Sequence, residues 1–464
     1  MALRVTFHGG AESVTGSNFL VEGKEGKILI DCGLEQGREA CAECMYDPFA
    51  YDVSSIDALI ITHAHLDHIG RAPKLMREGF KGKMYMTPPT RDLMEIMLRD
   101  SAGIMAMEAQ KSNREPMFND ADIDALFDRY EPLNLHEERM VAPGLSVLLR
   151  ATGHILGSAS VRIKDEEGVT LVCTGDIGNT PSPYLPDAES VTDADAMIIE
   201  SVYGDRVHDH KGEARVKALS QALAAAIKRG GTILIPAFSI ERSQLMLYEI
   251  SNLMDAGEIP RIPVYLDSPL AIKVTEVYER WGNEYFKPEA EDELRKEHSI
   301  FKFKGFAETF AREDSQAIDS VPGPKIILAG AGMSHGGRIG RHEALYLPDP
   351  KTTLFIVGYQ APGSPGRMLQ DGSPRVRVNG KDIEVRAKIE SFSGWSAHAD
   401  RDGLLSFAKA SLPRTKTFFV SLGEPSSARF LAQRIHDYLG TNAVVPVAGE
   451  RWDITKEGVR RVTE

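Results

Sequence analysis

Thr62-His63-Ala64-His65-Leu66-Asp67-His68 places four metal-ligating side chains within six residues. The segment follows Ala58-Leu59-Ile60-Ile61, an apolar run that predicts a buried strand. On an extended continuation, residues i and i+2 point the same way, so His63 and His65 can bind one ion together. Asp67 and His68 then turn away and can hold a second ion nearby. Imidazole and carboxylate without thiolate suit zinc in a hydrolytic site better than a structural zinc knot. The bland alternative is a surface histidine cluster, and the rest of the chain argues against it.

Further candidate ligands follow strand-like or glycine-rich signals. Asp31 closes Ile28-Leu29-Ile30, and Glu200 closes Met197-Ile198-Ile199. His154 lies in Ala151-Thr152-Gly153-His154-Ile155-Leu156-Gly157-Ser158, and Asp176 follows Leu171-Val172-Cys173-Thr174-Gly175. Open α/β sheets place their chemistry just past such strands. Each residue alone could be a turn former. Together they predict one site built at several strand ends.

The 464 residues, 42% hydrophobic, suffice for a large core and suggest two or three domains. No apolar run approaches the roughly 18 residues that a membrane helix needs. Met1 to Phe7 lacks a basic start followed by an apolar stretch and reads as a first strand, so a soluble cytoplasmic protein is expected. Cys41 and Cys44 have CxxC spacing, but no second pair completes a zinc site, and ordinary reduced thiols are expected. The net charge of −13 disfavours non-specific adhesion to nucleic acid. A nuclease with a locally basic cleft stays open, because bound metal ions supply positive charge themselves.

Residues 1–200 alternate strand-like runs with turns and some helical stretches. The rhythm then changes. Val216, Leu219, Leu223 and Ile227 share one helical face, Gly230-Gly231 ends that helix, and Thr232 to Ile235 follows as a strand. Leu245 to Leu253 repeats the helix, and Val264-Tyr265-Leu266 the strand, as parallel α/β units do. Three segments are expected: 1–200, an insertion over 201–385, and 386–464 returning to the first domain. Thr417 to Val420 should be a strand and Ala428 to Leu439 a closing helix.

The HxHxDH segment, the later Gly-His and the later Gly-Asp resemble the metallo-β-lactamase superfamily. Gly231 to Ser239 with Arg242, Tyr265 to Ala271, Gly332 to Arg338 and Phe392 to Asp400 resemble its β-CASP branch of nucleic-acid-processing nucleases. The likeness spans nearly the whole chain. It is closest to bacterial and archaeal relatives of the pre-mRNA 3′-end cleavage endonuclease. It implies an α/β fold: a metallo-β-lactamase αββα sandwich with an inserted β-CASP α/β domain. By resemblance, His63, His65 and His154 hold a first zinc ion, Asp67 and His68 a second, and Asp176 bridges. Two ions roughly 3.5–4 Å apart would share a metal-activated hydroxide and clamp a phosphate. Asp31 would orient a ligand histidine from behind. Asp67, His398 and Glu200 would be the catalytic residues, with His398 as general acid and Glu200 pairing with it. Ser334, His335 and Arg338 would form a phosphate subsite, where glycines admit backbone N–H groups and arginine binds bidentately.

One position departs from the pattern. Members of this branch usually carry Val-His-Gly-Glu after the last-but-one strand, and its histidine completes the second metal site. The corresponding stretch here is Val420-Ser421-Leu422-Gly423-Glu424, and leucine cannot ligate a metal. A weakened second ion is expected, with His8, His335 or His342 as candidate substitutes. The leading reading is a zinc-dependent ribonuclease acting on single-stranded RNA, for which a homodimer is a compatible assembly. The alternatives are a catalytically weakened RNA-binding or complex-forming relative, favoured by Leu422 and the acidic charge, and a small-molecule metallo-hydrolase.

Overall fold

The computed structural model describes residues 3–35, 43–361 and 363–463. The chain forms two compact units, one of Met1–Val207 with His398–Glu464, the other of His208–Ala397.

In the first unit two sheets stack face to face. One runs, in spatial order, Val459–Arg461, Arg451–Ile454, Leu3–Gly9, Asn18–Glu22, Lys27–Ile30, Ala58–Ile60, Lys83–Met86 and Tyr130–Pro132. The other runs Asn442–Val444, Thr417–Ser421, Ala196–Glu200, Thr170–Cys173, Ala159–Asp165, Leu145–Ala151 and Arg139–Ala142. Alternation along each strand builds the layers. Leu171, Cys173 and Ile198 point inward and meet Val5, Phe7, Phe19, Ile30 and Ile60 of the facing sheet. Val172, Met197 and Ile199 point outward and are covered by Leu404 and Phe407 of helix Arg401–Ala410 and by Leu431 and Ile435 of helix Pro425–Leu439. Burial on both faces explains why these strands read as unbroken apolar runs. The result is the expected αββα sandwich.

Returning chain is part of this sandwich. Thr417–Ser421 pairs in parallel with Ala196–Glu200, setting Ser421 opposite Glu200. The second helix has proline at its first turn and Gly440 in left-handed conformation at its end, the expected start and stop signals.

The inserted unit is a six-stranded parallel sheet, in order Phe306–Glu308, Val264–Leu266, Lys325–Ala329, Thr232–Pro236, Thr353–Ile356 and Lys388–Ser391. Helix Gly212–Arg229 leads into its first strand, and helices Arg242–Asp255, Pro269–Tyr285 and Gly337–Tyr346 connect its strands. Asp267, just past one strand, is wholly buried and accepts hydrogen bonds from Thr309 (2.7 Å), Ser315 (2.6 Å) and Arg338 (2.6 Å), with His342 at 2.7 Å. Burial opposes its ionisation, but these four partners hold the carboxyl below the usual range.

Glu343 has a less complete environment. Its Oε1 accepts from Ser334 Oγ at 2.5 Å, while its buried Oε2 has no partner. Burial pushes the carboxyl up to about 7 against the opposing Ser334 bond. The folded form therefore holds this proton more tightly than the unfolded chain, and stability should fall as pH rises from about 4.5 to about 7. The shift corresponds to roughly 3 kcal/mol at most. Glu343→Gln is expected to flatten thermal unfolding midpoints over that window. An unchanged pH slope in the variant would contradict the account.

One cysteine differs from expectation. Cys44 is disulfide-bonded, not a reduced thiol, and Cys41 lies outside the described residues. Cys32 and Cys173 are buried and free. Burial pushes the Cys32 thiol up to about 12, which leaves it unreactive.

Candidate active site

The site lies along one edge of the first unit, where strands end. After Ile30 the backbone turns at Asp31 with φ 58°, a conformation that aspartate tolerates. Asp31 is fully buried and its oxygens are all engaged. They accept from Thr62 N (2.8 Å), Thr62 Oγ1 (2.9 Å) and Ser17 Oγ (3.0 Å), and one lies 2.6 Å from His68 Nδ1. Asp31 thus fixes which way the His68 ring faces. Thr62 Oγ1 lies 3.0 Å from His63 Nδ1 and so directs His63 Nε2 toward the site.

Two loops bring the remaining side chains. Between Leu145–Ala151 and Ala159–Asp165, Ser158 Oγ accepts from the backbone N–H of His154 (3.1 Å) and of Ile155 (3.2 Å). After Cys173, Gly175 has φ +55°, and a Cβ there would lie 2.8 Å from Thr62 Cβ. Only glycine allows this approach, which sets Asp176 against the histidines.

His63 Nε2 and His154 Nε2 each lie 3.1 Å from His65 Nδ1. Asp176 Oδ2 is 3.4 Å from both Nε2 atoms. Four ligand atoms on a tetrahedral zinc, with bonds of about 2.0–2.1 Å, are separated by about 3.3 Å. The donor set and its spacing therefore fit one such ion. Burial lowers the pKa of His63, and that of His65 and His154 well below the usual value, favouring the neutral form that ligates metal.

Beside this group stand Asp176, Glu200 and His398. His398 Nδ1 is 3.3 Å from Glu200 Oε1 and 3.8 Å from Asp176 Oδ2. Its ring centroid is 4.5 Å from that of His154. Glu200 is fully buried and accepts from Ile177 N at 2.6 Å. Burial opposes protonation of His398, but the Glu200 and Asp176 carboxylates outweigh it and raise the pKa to about 9. The backbone is pinned next door, where Ala399 N donates to Ile177 O at 2.8 Å.

The second-ion residues are less closely gathered. His68 Nε2 is 3.5 Å from Asp176 Oδ1, and Asp67 is half-buried. Among the described residues, Asp67 and His68 belong to no group of three converging donors. Nor do the candidate substitutes. His342 is paired with Asp267, His335 is exposed in the inserted unit, and His8 packs against Tyr51 with ring centroids 4.7 Å apart.

Ser334 and Arg338 also lie in the inserted unit with their polar groups committed. Ser334 donates to Glu343, and Arg338 to Asp267, Thr309 O (2.7 Å) and Phe310 O (2.5 Å). The sequence alone does not single out Thr62, Ser17 and Ser158. A hydroxyl directly before His63 was the one local hint.

Comparison with known proteins places this geometry. Residues 13–234 match the metallo-beta-lactamase superfamily, 243–369 the Beta-Casp domain, and 382–446 the Zn-dependent metallo-hydrolase RNA specificity domain. A ribonuclease of Thermus thermophilus is 37% identical over 405 residues, covering 87% of this chain and 90% of that protein. The transcription termination factor FttA of Methanosarcina mazei is 32% identical, covering 94% of this chain and 69% of its own length. An RNase J-like protein of Methanocaldococcus jannaschii is 31% identical, covering 96% of this chain and 98% of that protein. A crystal structure of a protein of unknown function from Enterococcus faecalis shares the fold, with TM-score 0.56 and 12% identity over 97% of this chain and 99% of that one. The chain belongs to the β-CASP branch of the metallo-β-lactamase superfamily, a family of metal-dependent hydrolases that bind divalent ions.

Proposed function

We propose that this protein is a zinc-dependent ribonuclease that hydrolyses phosphodiester bonds of single-stranded RNA. The observation that carries this reading is the juxtaposition of the His63, His65, His154 and Asp176 donor set with His398, a protonatable histidine backed by Glu200. Zinc, when bound there, lowers the pKa of water and offsets charge developing on a phosphate. His63, His65 and His154 would hold it through neutral imidazole nitrogens, and Asp176 would supply the anionic donor. His68 is kept in orientation by Asp31. His398 carries a proton at neutral pH and gives it to the departing ribose oxygen. Glu200 keeps the His398 ring facing the site and stabilises its charged form. The RNA-specificity match and the ribonuclease among the relatives support RNA as the substrate class. Residues 201–385 would serve as the β-CASP insertion between the two parts of the hydrolase domain, and a cytoplasmic location suits the substrate. No helix among the described residues is long and apolar enough to cross a membrane.

The test is cleavage of labelled single-stranded RNA by the purified protein. We expect cleavage that a chelator abolishes and zinc restores, with thioester and lactone substrates left intact. Turnover of thioesters in preference to RNA would move the assignment to a small-molecule hydrolase. Leu422 favours a second reading, a catalytically weakened RNA-binding partner. Binding of RNA with no cleavage at any metal concentration would establish that instead.

A further inference from the structure

The two sides of the candidate centre are built unequally. On one side, three imidazole nitrogens and one carboxylate oxygen converge within 4.8 Å of one another. On the other stand Asp67, His68 and the second oxygen of Asp176. His68 has only Nε2 to offer, since Nδ1 is held 2.6 Å from Asp31.

Leu422 directly follows Ser421, the strand partner of Glu200. Leu422 is 1% exposed and packs in the inter-sheet core that includes Phe7, Phe19 and Phe419. Its N–H donates to Gly10 O at 2.7 Å, and its carbonyl accepts from Ser201 N at 3.2 Å. A Cβ placed on Gly10 would lie 2.6 Å from Leu422 Cδ2 and 3.4 Å from Ser17 Cα. Ser17 N in turn donates to Asp67 O at 2.9 Å. Leu422 therefore packs against the Gly10 turn, whose neighbour Ser17 holds the Asp67 backbone, and it offers no donor. Its backbone is in the left-handed region with φ 52°. Leucine is disfavoured there, whereas histidine is several-fold enriched among residues that adopt it. The backbone keeps a conformation that suits a polar side chain better than the one present.

Building on the proposed zinc site, we infer that this chain retains one tightly held ion, at His63, His65, His154 and Asp176, and that Leu422 leaves the neighbouring position weak, filled only when free divalent metal is raised. Disturbing a supporting group behind a metal ligand already lowers affinity about 10–100-fold. Absence of a direct ligand should separate the two positions by roughly 100-fold or more. Occupancy of the Asp67–His68 position would then follow the surrounding metal concentration.

Metal counting tests this without any RNA. Wild-type protein, passed through metal-free gel filtration after zinc loading, should retain about one zinc per chain by mass spectrometry. Leu422→His should retain about two. Asp67→Asn in the wild-type background should still retain about one. Two retained ions in the wild type would overturn the inference and leave the zinc site intact, whereas none would overturn the zinc site itself. One ion in both wild type and Leu422→His would also overturn it, because Leu422 would not be the cause. If Leu422→His proves insoluble, calorimetric zinc titration of the wild type decides. Two phases separated by roughly 100-fold support the inference, and one phase of two equivalent ions refutes it.

Discussion

His398→Ala is expected to lower kcat for single-stranded RNA cleavage by about 10²- to 10⁴-fold, the usual contribution of a positioned general acid, with zinc retention unchanged. His398 stands outside the four-donor group, so its loss should not release the ion. Its side chain is 23% exposed, against none for His63 and His154, so it can meet a substrate oxygen. The decisive control is the leaving group. A nitrophenyl phosphodiester departs without needing a proton, so the variant should cleave it nearly as well as the wild type does. Equal losses on both substrates would mean that His398 acts through structure. The pH profile adds a second check. A pKa raised to about 9 keeps the acid protonated at neutral pH, so cleavage should decline as pH rises through about 9. Glu200→Gln removes the largest contribution raising it and should move that decline to lower pH.

Asp176→Ala should have the other large effect, and through a different route. Asp176 faces four histidines: Oδ2 is 3.4 Å from His63 and His154 and 3.8 Å from His398, and Oδ1 is 3.5 Å from His68. Burial opposes its ionisation, but the charges of His68 and His398 and the hydrogen bond with His63 hold it well below the ordinary range. Its removal takes away the anionic donor of the four-donor group, and three neutral imidazoles are left to hold a dication. The metal's contribution to such a reaction is worth several kcal/mol, so kcat should fall roughly 10³-fold or more. Unlike His398→Ala, this variant should also lose zinc on gel filtration. A variant that kept its zinc and most of its activity would remove Asp176 from the centre.

The parts of this architecture carried by local pattern were legible in the sequence. Leu171-Val172-Cys173 and Met197-Ile198-Ile199 read as strands because both faces are buried, between the inter-sheet core and the outer helices. The ligand histidines announced themselves by spacing, since i and i+2 on an extended segment share a side. What stayed hidden was how polar groups are satisfied across the fold. Glycine-rich Gly332–Arg338 suggested a phosphate loop, yet Arg338 is bonded to Asp267, 71 residues away, and Ser334 to the buried Glu343. Thr62 and Ser17 support the centre through Asp31, a convergence of three separate segments that no single window contains. Leu422 was visible as an odd residue in a familiar motif. Its left-handed backbone and its place against the Gly10 turn were not.

The sandwich is closed by chain that arrives late. Ala196–Glu200 waits for Thr417–Ser421 as its parallel partner, and His398 is synthesised 222 residues after Asp176, as 398 − 176 shows. A polypeptide still emerging from the ribosome displays His63, His65, His154 and Asp176 while it lacks His398 and the strand beside Glu200. If the proposed chemistry holds, a nascent chain that has not yet reached His398 carries the metal donors without the proposed acid.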